Sequence, residues 1–221
     1  MATAGPSLDL AAGFVLAGGQ SSRMGRDKAL VEFSGRPLVA HALAILNQVG
    51  LPPKIAGATS SIRASLQAFA PVIEDASPGL GPLSGICAAL AATSAHYAIF
   101  LPVDLPLLPP SLLVYLLRHA QITGAAVTVP SVSGFTQTFP AVLARTALPA
   151  LQNELTSGRY GCFSAFQAAS AALGHSIGSI SVELLAQSGH VFHPLDLPPR
   201  HWFLNLNSPA DLACAEVLLI C

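Results

Sequence analysis

Charge is scarce in this 221-residue chain: Asp, Glu, Lys and Arg make up 10% of it, and 11 acidic against 10 basic residues leave a formal net charge of −1. That balance gives no bulk attraction to nucleic acid or to an anionic membrane, so any phosphate-binding charge must be local. Aromatic residues are few as well, at 6%, although hydrophobic residues as a whole reach 52%. Ala, Leu and Val therefore carry an apolar load ample for a large core, which suits helices layered on a sheet more than an all-β sandwich. No apolar run reaches about 18 residues, so no transmembrane helix is expected. The opening MATAGPSLDL has no basic segment, so no secretory signal is expected either. Cys87, Cys162, Cys214 and Cys221 form no C-x-x-C pair. They read as scattered buried thiols of a reducing cytosol, and the expected location is cytoplasmic. The histidines are dispersed. His190 and His193 lie three apart in an expected strand, where they would face opposite ways, so no His-based metal site is expected. No linker, repeat or charge run divides the chain. One domain over 1–221 is expected, with 1–12 as a flexible N-terminal segment.

What the chain does have is an alternation of strand-like and helix-like stretches over roughly its first 130 residues. Gly13–Leu16 reads as a strand. Pro37 opens a helix whose Leu38, Ala42, Ile45, Leu46 and Val49 share one face. Lys54–Ala58 reads as a strand, Ile62–Phe69 as a helix and Val72–Ile73 as a short strand. Gly81 and Pro82 start a helix with Leu83, Ile86, Cys87 and Leu90 inward; Tyr97–Leu101 is an apolar strand; Ser111–Ala120 is a helix behind Pro109–Pro110; and Ala125–Val129 is the next strand. The pattern predicts an α/β protein, a Rossmann-like three-layer α/β/α arrangement with a mostly parallel sheet. Further on, Thr138–Leu143, Val191–Leu195 and Trp202–Leu204 read as strands and Tyr160–Leu173 as a helix. Ser208-Pro209-Ala210-Asp211 is a helix start, with Leu212, Ala215 and Leu219 inward.

Residues 16–28, LAGGQSSRMGRDK, carry the strongest chemical signal. Gly18 and Gly19 let backbone N–H groups approach a ligand, and Arg23, Arg26 and Lys28 supply three cations within six residues. This is not a Walker A loop, since G-x-x-x-x-G-K-[ST] does not occur. A tight turn with solvated cations is the plain alternative. Ligands of open parallel sheets lie beyond the carboxyl ends of the strands. Asp75, Asp104, and Asn205 with Asn207 each follow an expected strand and so reach that same edge. Asp104 stands between Pro102 and Pro106. A rigid carboxylate opposite a polyphosphate loop is what Mg²⁺ requires; a turn-forming Asp is the alternative. The Gly81–Gly85 stretch, GPLSG, offers helix N-terminal N–H groups to an anion or base edge, or simply packs closely around its glycines.

Taken in order, LAGG-x-S-x-RMG-x-DK (Leu16–Lys28), GRPL (Gly35–Leu38), VIED (Val72–Asp75), GPLSG, PVDLP (Pro102–Pro106), QTFPAV (Gln137–Val142) and NLNSP (Asn205–Pro209) resemble the molybdenum cofactor guanylyltransferases from about residue 13 to the C-terminus. LAGG rather than LAAG, together with N-x-N-[ST]-P, points to the guanylyl branch of the nucleotidyltransferases. The resemblance implies the nucleotide-diphospho-sugar transferase type of fold. It also implies Mg²⁺-dependent transfer of GMP from GTP to the molybdopterin cofactor, with release of pyrophosphate. It places Leu16, Ala17, Gly18, Gly19, Gly81 and Pro82 along the nucleotide, Arg23 and Lys28 on the phosphates, and Asp75 on the nucleoside. Asp104 falls on GTP and Mg²⁺. Gln137, Arg159, Asn205 and Asn207 fall on the pterin side. Molybdoenzymes or cofactor-delivery proteins would be downstream partners. Two departures stand out: Gly57 where the family often has Asn, and Ser208 where it usually has Thr. A CTP-using or sugar-1-phosphate nucleotidyltransferase of the same fold is the nearest alternative. A noncatalytic GTP-binding or cofactor-chaperone protein is the alternative of another class.

Overall fold

Ala11–Leu16 forms β1, a strand with both faces covered, and the rest of the molecule is built around it. The computed structural model of the chain describes residues 11–17, 27–75, 77 and 79–219. A small hairpin follows, β2 (Glu32–Phe33) and β3 (Arg36–Pro37), then α1 (Leu38–Gln48), β4 (Pro53–Ala56), α2 (Ser60–Gln67) and α3 (Pro82–Ala91). Next come β5 (Tyr97–Pro102), α4 (Pro110–Thr123), β6 (Val127–Val132), β7 (Phe135–Thr136) and β8 (Ala141–Ala144). The chain closes with α5 (Leu148–Thr156), α6 (Cys162–Ala172), β9 (Gly178–Ser181), α7 (Val182–Gln187), α8 (Pro199–Trp202) and α9 (Pro209–Leu218). The main sheet runs β4-β1-β5-β8-β6-β7, with β9 also on β6. β1 is parallel to β4 and β5, β8 is antiparallel to β5 and β6, and β9 is parallel to β6. Strands β4, β1, β5, β6 and β9 therefore point one way, and the mostly parallel sheet expected from the alternation is present.

The period of two along each strand divides the core into two layers. Phe14, Leu16, Ala98, Phe100, Ala141, Leu143, Val127 and Val129 face Leu83, Ile86 and Leu90 of α3, Leu151 of α5 and Phe166 of α6. Val15, Ile55, Ile99, Leu101 and Val142 face the other layer, where α1, α2, α4 and α7 contribute their apolar sides. Phe14 lies opposite Phe100 in the ladder and the two rings stack at 5.4 Å. α1 buries Leu38, Ala42, Ile45 and Leu46, with Val49 just beyond it, the face its spacing predicts. α4 stops at Gly124, which takes φ +68°, and its N–H caps the Ala120 carbonyl.

Two expected strands are absent, and a third, Val72–Ile73, is reduced to a single bridge from Val72 to Ile55. Residues 191–195 carry no ladder, and Trp202 ends the short helix α8 instead of starting a strand. Pro194, Pro198 and Pro199 remove donors that a ladder would need. The apolar residues there plug the core edge instead: Trp202 is buried, and its indole N–H donates to the Leu197 carbonyl at 2.5 Å. His193 stacks on Trp202 and its Nε2 meets the Leu107 carbonyl, while His190 is exposed beside Ser188. Of the inward face expected on α9, only Ala215 is buried; Leu212 and Leu219 are partly covered. Residues 1–10 lie outside the described set, and Ala11 and Ala12 are already strand.

Candidate functional site

Leu16 lies in register with Ala56 and with Pro102, so β1, β4 and β5 end together. The segments leaving those ends meet at one edge of the sheet. The Leu16 carbonyl accepts from Val103 N, and Ala17 N donates to the Ala56 carbonyl, which ties the three ends laterally. The Leu16 and Ala17 side chains are buried, so only backbone there can line a ligand.

Lys28 stands in a single 3-10 turn, Lys28–Leu30, whose cap is Asp27; the Asp27 Oδ1 accepts from Ala29 N at 3.0 Å. Burial pushes the Asp27 carboxyl up, and that hydrogen bond partly offsets the push. Lys28 Nζ sits 2.7 Å from Asp104 Oδ2, and the two side chains keep 17% and 20% of their surface exposed. The same ammonium donates to Asn207 Oδ1. A backbone bond closes the circuit, because Leu206 N donates to the Asp104 carbonyl at 3.0 Å. Three segments that are far apart in sequence thus converge on one cation. The turn-forming role considered for Asp104 does not account for this, since its carboxylate is turned to Lys28.

Asn207 is placed by the start of α9. Ser208 caps the helix, its Oγ accepting from Asp211 N, and Asp211 Oδ2 accepts from Ser208 Oγ at 2.8 Å and from Asn207 N at 2.9 Å. These bonds hold the Asp211 carboxyl below the usual carboxylate range. Asn205 is exposed and its side chain makes no hydrogen bond among the described residues.

Asp75 reaches the same edge on the β4 side. Val72 bridges Ile55 in parallel, and Ile73 N donates to the Ile55 carbonyl at 2.7 Å. Asp75 Oδ1 then accepts from Ser77 N at 2.9 Å and from the Ser84 hydroxyl at 2.5 Å. Ser84 lies within GPLSG but carries no role in the sequence reading; its hydroxyl braces the carboxylate. Gly81 caps α3 at φ +83° and Pro82 is its first residue. Gly85 answers the question left open by that motif for the second glycine: a Cβ there would stand 2.7 Å from Gly57 Cα and N, so α3 packs directly on the end of β4. Gly57 itself takes φ +73°, a conformation that Asn also visits.

Gln137 and Arg159 do not join this cluster. Gln137 N donates to the Pro130 carbonyl beside β6, and its side chain to the Phe135 carbonyl. Arg159 pairs in a fork with Glu154, at 2.6 and 2.7 Å, which holds the Glu154 carboxyl low. Gly18, Gly19, Arg23 and Arg26 lie outside the described residues. Burial raises the Cys87 thiol to about 11 and the Cys162 thiol to about 12, which disfavours the thiolate at both. A groove of about 560 Å³ runs along α4, lined by Ser111, Tyr115, Arg118, His119, Ile122 and His190, and contains none of the cluster residues. No described helix is long and apolar enough to cross a membrane.

No group of three or more His, Cys, Asp or Glu among the described residues could hold a metal by itself. The atoms that meet the Lys28 ammonium are a carboxylate oxygen and an amide oxygen. Hard oxygens in small number are what Mg²⁺ takes from a protein when phosphates and water complete its shell.

The family model described as MobA-like NTP transferase domain matches residues 13–172. The molybdenum cofactor guanylyltransferase of Xanthomonas euvesicatoria pv. vesicatoria is 42% identical over 110 residues, 49% of this chain and 54% of that protein. This alignment spans about half of that relative's length. The molybdenum cofactor guanylyltransferase of Pseudomonas putida is 33% identical over 147 residues, 65% of this chain and 75% of that protein. The crystal structure of molybdopterin-guanine dinucleotide biosynthesis protein A from Archaeoglobus fulgidus superposes with a TM-score of 0.76 at 21% identity, covering 94% of this chain and 98% of that one.

Proposed function

The chain belongs to the MobA-like NTP transferase family, and on that premise we propose that it transfers GMP from GTP to molybdopterin, giving the guanine dinucleotide form and pyrophosphate. The observation that carries this reading is the meeting of Lys28, Asp104 and Asn207 at the shared carboxyl edge of β1 and β5. Relatives named as molybdenum cofactor guanylyltransferases supply the substrates.

The terminal phosphate of molybdopterin attacks the α-phosphorus of GTP in line. The bond from that phosphorus to the bridging oxygen breaks, and pyrophosphate leaves with the electron pair. No covalent enzyme intermediate forms. The protein must bring two anions together and stabilise the added charge. Lys28, with Arg23, lies against the phosphates and offsets their repulsion. Asp104 and Asn207 would hold Mg²⁺, which would supply further positive charge beside the phosphates. Asp75, braced by Ser77 and Ser84, takes the nucleoside. Leu16, Ala17, Gly18, Gly19, Gly81 and Pro82 line the nucleotide. Gln137, Arg159 and Asn205 take the molybdopterin side, and Asn207 stands where the two substrate halves join.

The test is one assay: protein, Mg²⁺, molybdopterin and each of the four nucleoside triphosphates, with pyrophosphate measured. Release with GTP is expected. Release with CTP or UTP but not GTP overturns the guanylyl assignment, and GTP binding without any release overturns the catalytic one.

A further inference from the structure

Asn207 is exposed, yet its amide oxygen meets Lys28 across 179 residues of sequence. Its position has to be set by hydrogen bonds. Leu206 anchors one side through its N–H on the Asp104 carbonyl and a fully buried side chain. On the other side, Asn207 N lies 2.9 Å from Asp211 Oδ2 and 3.1 Å from the Asn205 carbonyl. The latter is the two-residue contact of a tight turn, poorly aligned by its ring size. The carboxylate is the shorter and charged acceptor, and a charge-assisted bond is roughly twice as strong as a neutral one.

α9 adds little to the core, since Ala215 is its one buried residue among those described. What its first turn does provide is a reciprocal pair, Ser208 Oγ donating to Asp211 Oδ2 and accepting from Asp211 N. That pair locks the carboxylate toward Asn207. Substituting an ordinary cap residue affects helix stability alone; here the same carboxylate reaches one residue further back, onto the backbone of a residue in the site.

We propose that Asp211 is a positioning residue that holds Asn207 in contact with Lys28, the cation that also pairs with Asp104. The proposal rests on the reaction given above. Asp211 touches no substrate in this account; it acts through its bond to Asn207 N, with the Lys28 charge only a minor direct neighbour of its carboxylate.

A double-mutant cycle with Asn207 tests it. Asp211→Ala is expected to lower kcat/KM for GTP about tenfold, the effect of one lost charge-assisted bond. Asp211→Asn keeps an acceptor oxygen and is expected to stay within about threefold of the parent. In an Asn207→Ala background, Asp211→Ala is expected to add less than about twofold, because the residue it positions is gone. An equal loss with and without Asn207 overturns the proposal, as does a loss matched by collapse of the thermal midpoint. A second readout needs no turnover: in Asp211→Ala, hydrogen exchange at the Asn207 amide is expected to speed up and the Asn207 side-chain amide resonances to shift. Unchanged exchange and resonances overturn the positioning role. If the parent protein releases no pyrophosphate with any nucleotide, the reaction reading falls, and the resonance measurement alone decides the role of Asp211.

Discussion

Asp104→Asn isolates one charge. Asn has the shape of Asp, so the perturbation removes a formal charge and leaves the backbone in place. The Leu206 N bond goes to the Asp104 carbonyl, not to its carboxylate, and survives the substitution. The loop also stays pinned by Leu105, Leu107 and Leu108, all buried. The stability effect is therefore that of weakening one partly exposed ion pair, the 2.7 Å contact to Lys28. Such pairs contribute about 0–1 kcal/mol. In a domain of this size that corresponds to a fall of about 2–4 °C at most in Tm. The rate effect is of another order. Losing one major electrostatic group in a reaction that accumulates phosphate charge costs on the order of 10²-fold or more. The assay is pyrophosphate release at saturating GTP and molybdopterin, run beside thermal unfolding of the same preparations. A turnover within about threefold of the parent refutes the assignment of Asp104 to the phosphate and metal centre. A Tm loss much beyond that bound refutes the claim that the carboxylate is functional more than structural.

Other expectations follow from the same geometry. Gly85→Ala places a Cβ 2.7 Å from the Gly57 backbone and should destabilise by about 1–3 kcal/mol, read as a lower urea midpoint; an unchanged midpoint would show that α3 can back away from β4. Leu46→Ala empties a fully buried site and should cost about 2–5 kcal/mol by the same measurement. Arg159→Ala should raise KM for molybdopterin about tenfold and leave KM for GTP unchanged, as the loss of one charge-assisted contact; a shift in the GTP constant instead would move Arg159 to the nucleotide side. His193 should make stability fall in mild acid. Its Nδ1 accepts from Leu195 N and its Nε2 meets the Leu107 carbonyl, partners that assign the neutral Nε2–H form, and burial holds its pKa below the ordinary 6.5. Above 6.5 neither state binds the proton. As pH drops below 6.5 the unfolded chain takes it up and the native one resists, so stability declines until the native pKa is passed. His41, also depressed by burial, adds in the same direction. Urea midpoints at a series of pH values should show the decline, and His193→Gln should shallow it; an equal slope in the variant would exclude His193 as a source.

The layered core was legible because long periodic stretches decide themselves. α1, α3 and α4 each announce an inward face and a proline at or just before the start, and β1 and β5 are apolar on both faces. Once those strands are parallel, their carboxyl ends must coincide, so Lys28 and Asp104 could be placed at one edge from sequence. The path after about residue 145 was legible only in part: the helix expected over Tyr160–Leu173 is α6 and the start at Ser208–Asp211 is that of α9, but what lies around them was not. β9 is four residues, GSIS, with no apolar alternation, and it exists because β6 offers it an edge. The apolar runs at Val191–Leu195 and Trp202–Leu204 look like strands but serve as plugs, since burial of Trp202 and His193 rewards the same residue types without a ladder. α5 hides behind Leu148-Pro149 and buries only Leu151 and Glu154, too short a stripe to show a period. Ser84 carried no signal beyond its motif, because a buried hydroxyl bracing a carboxylate leaves no spacing to read. The contact of Asn207 with Lys28 was likewise beyond spacing, for it depends on where a loop of no regular structure returns.

The most direct measurement follows the label. With GTP labelled at the α-phosphate or at the γ-phosphate, incubated with the protein, Mg²⁺ and molybdopterin, the α-label should appear in a guanine dinucleotide of the pterin and the γ-label in pyrophosphate, in equal amounts. An α-label that remains in GTP, or that emerges as free GMP, would contradict the account.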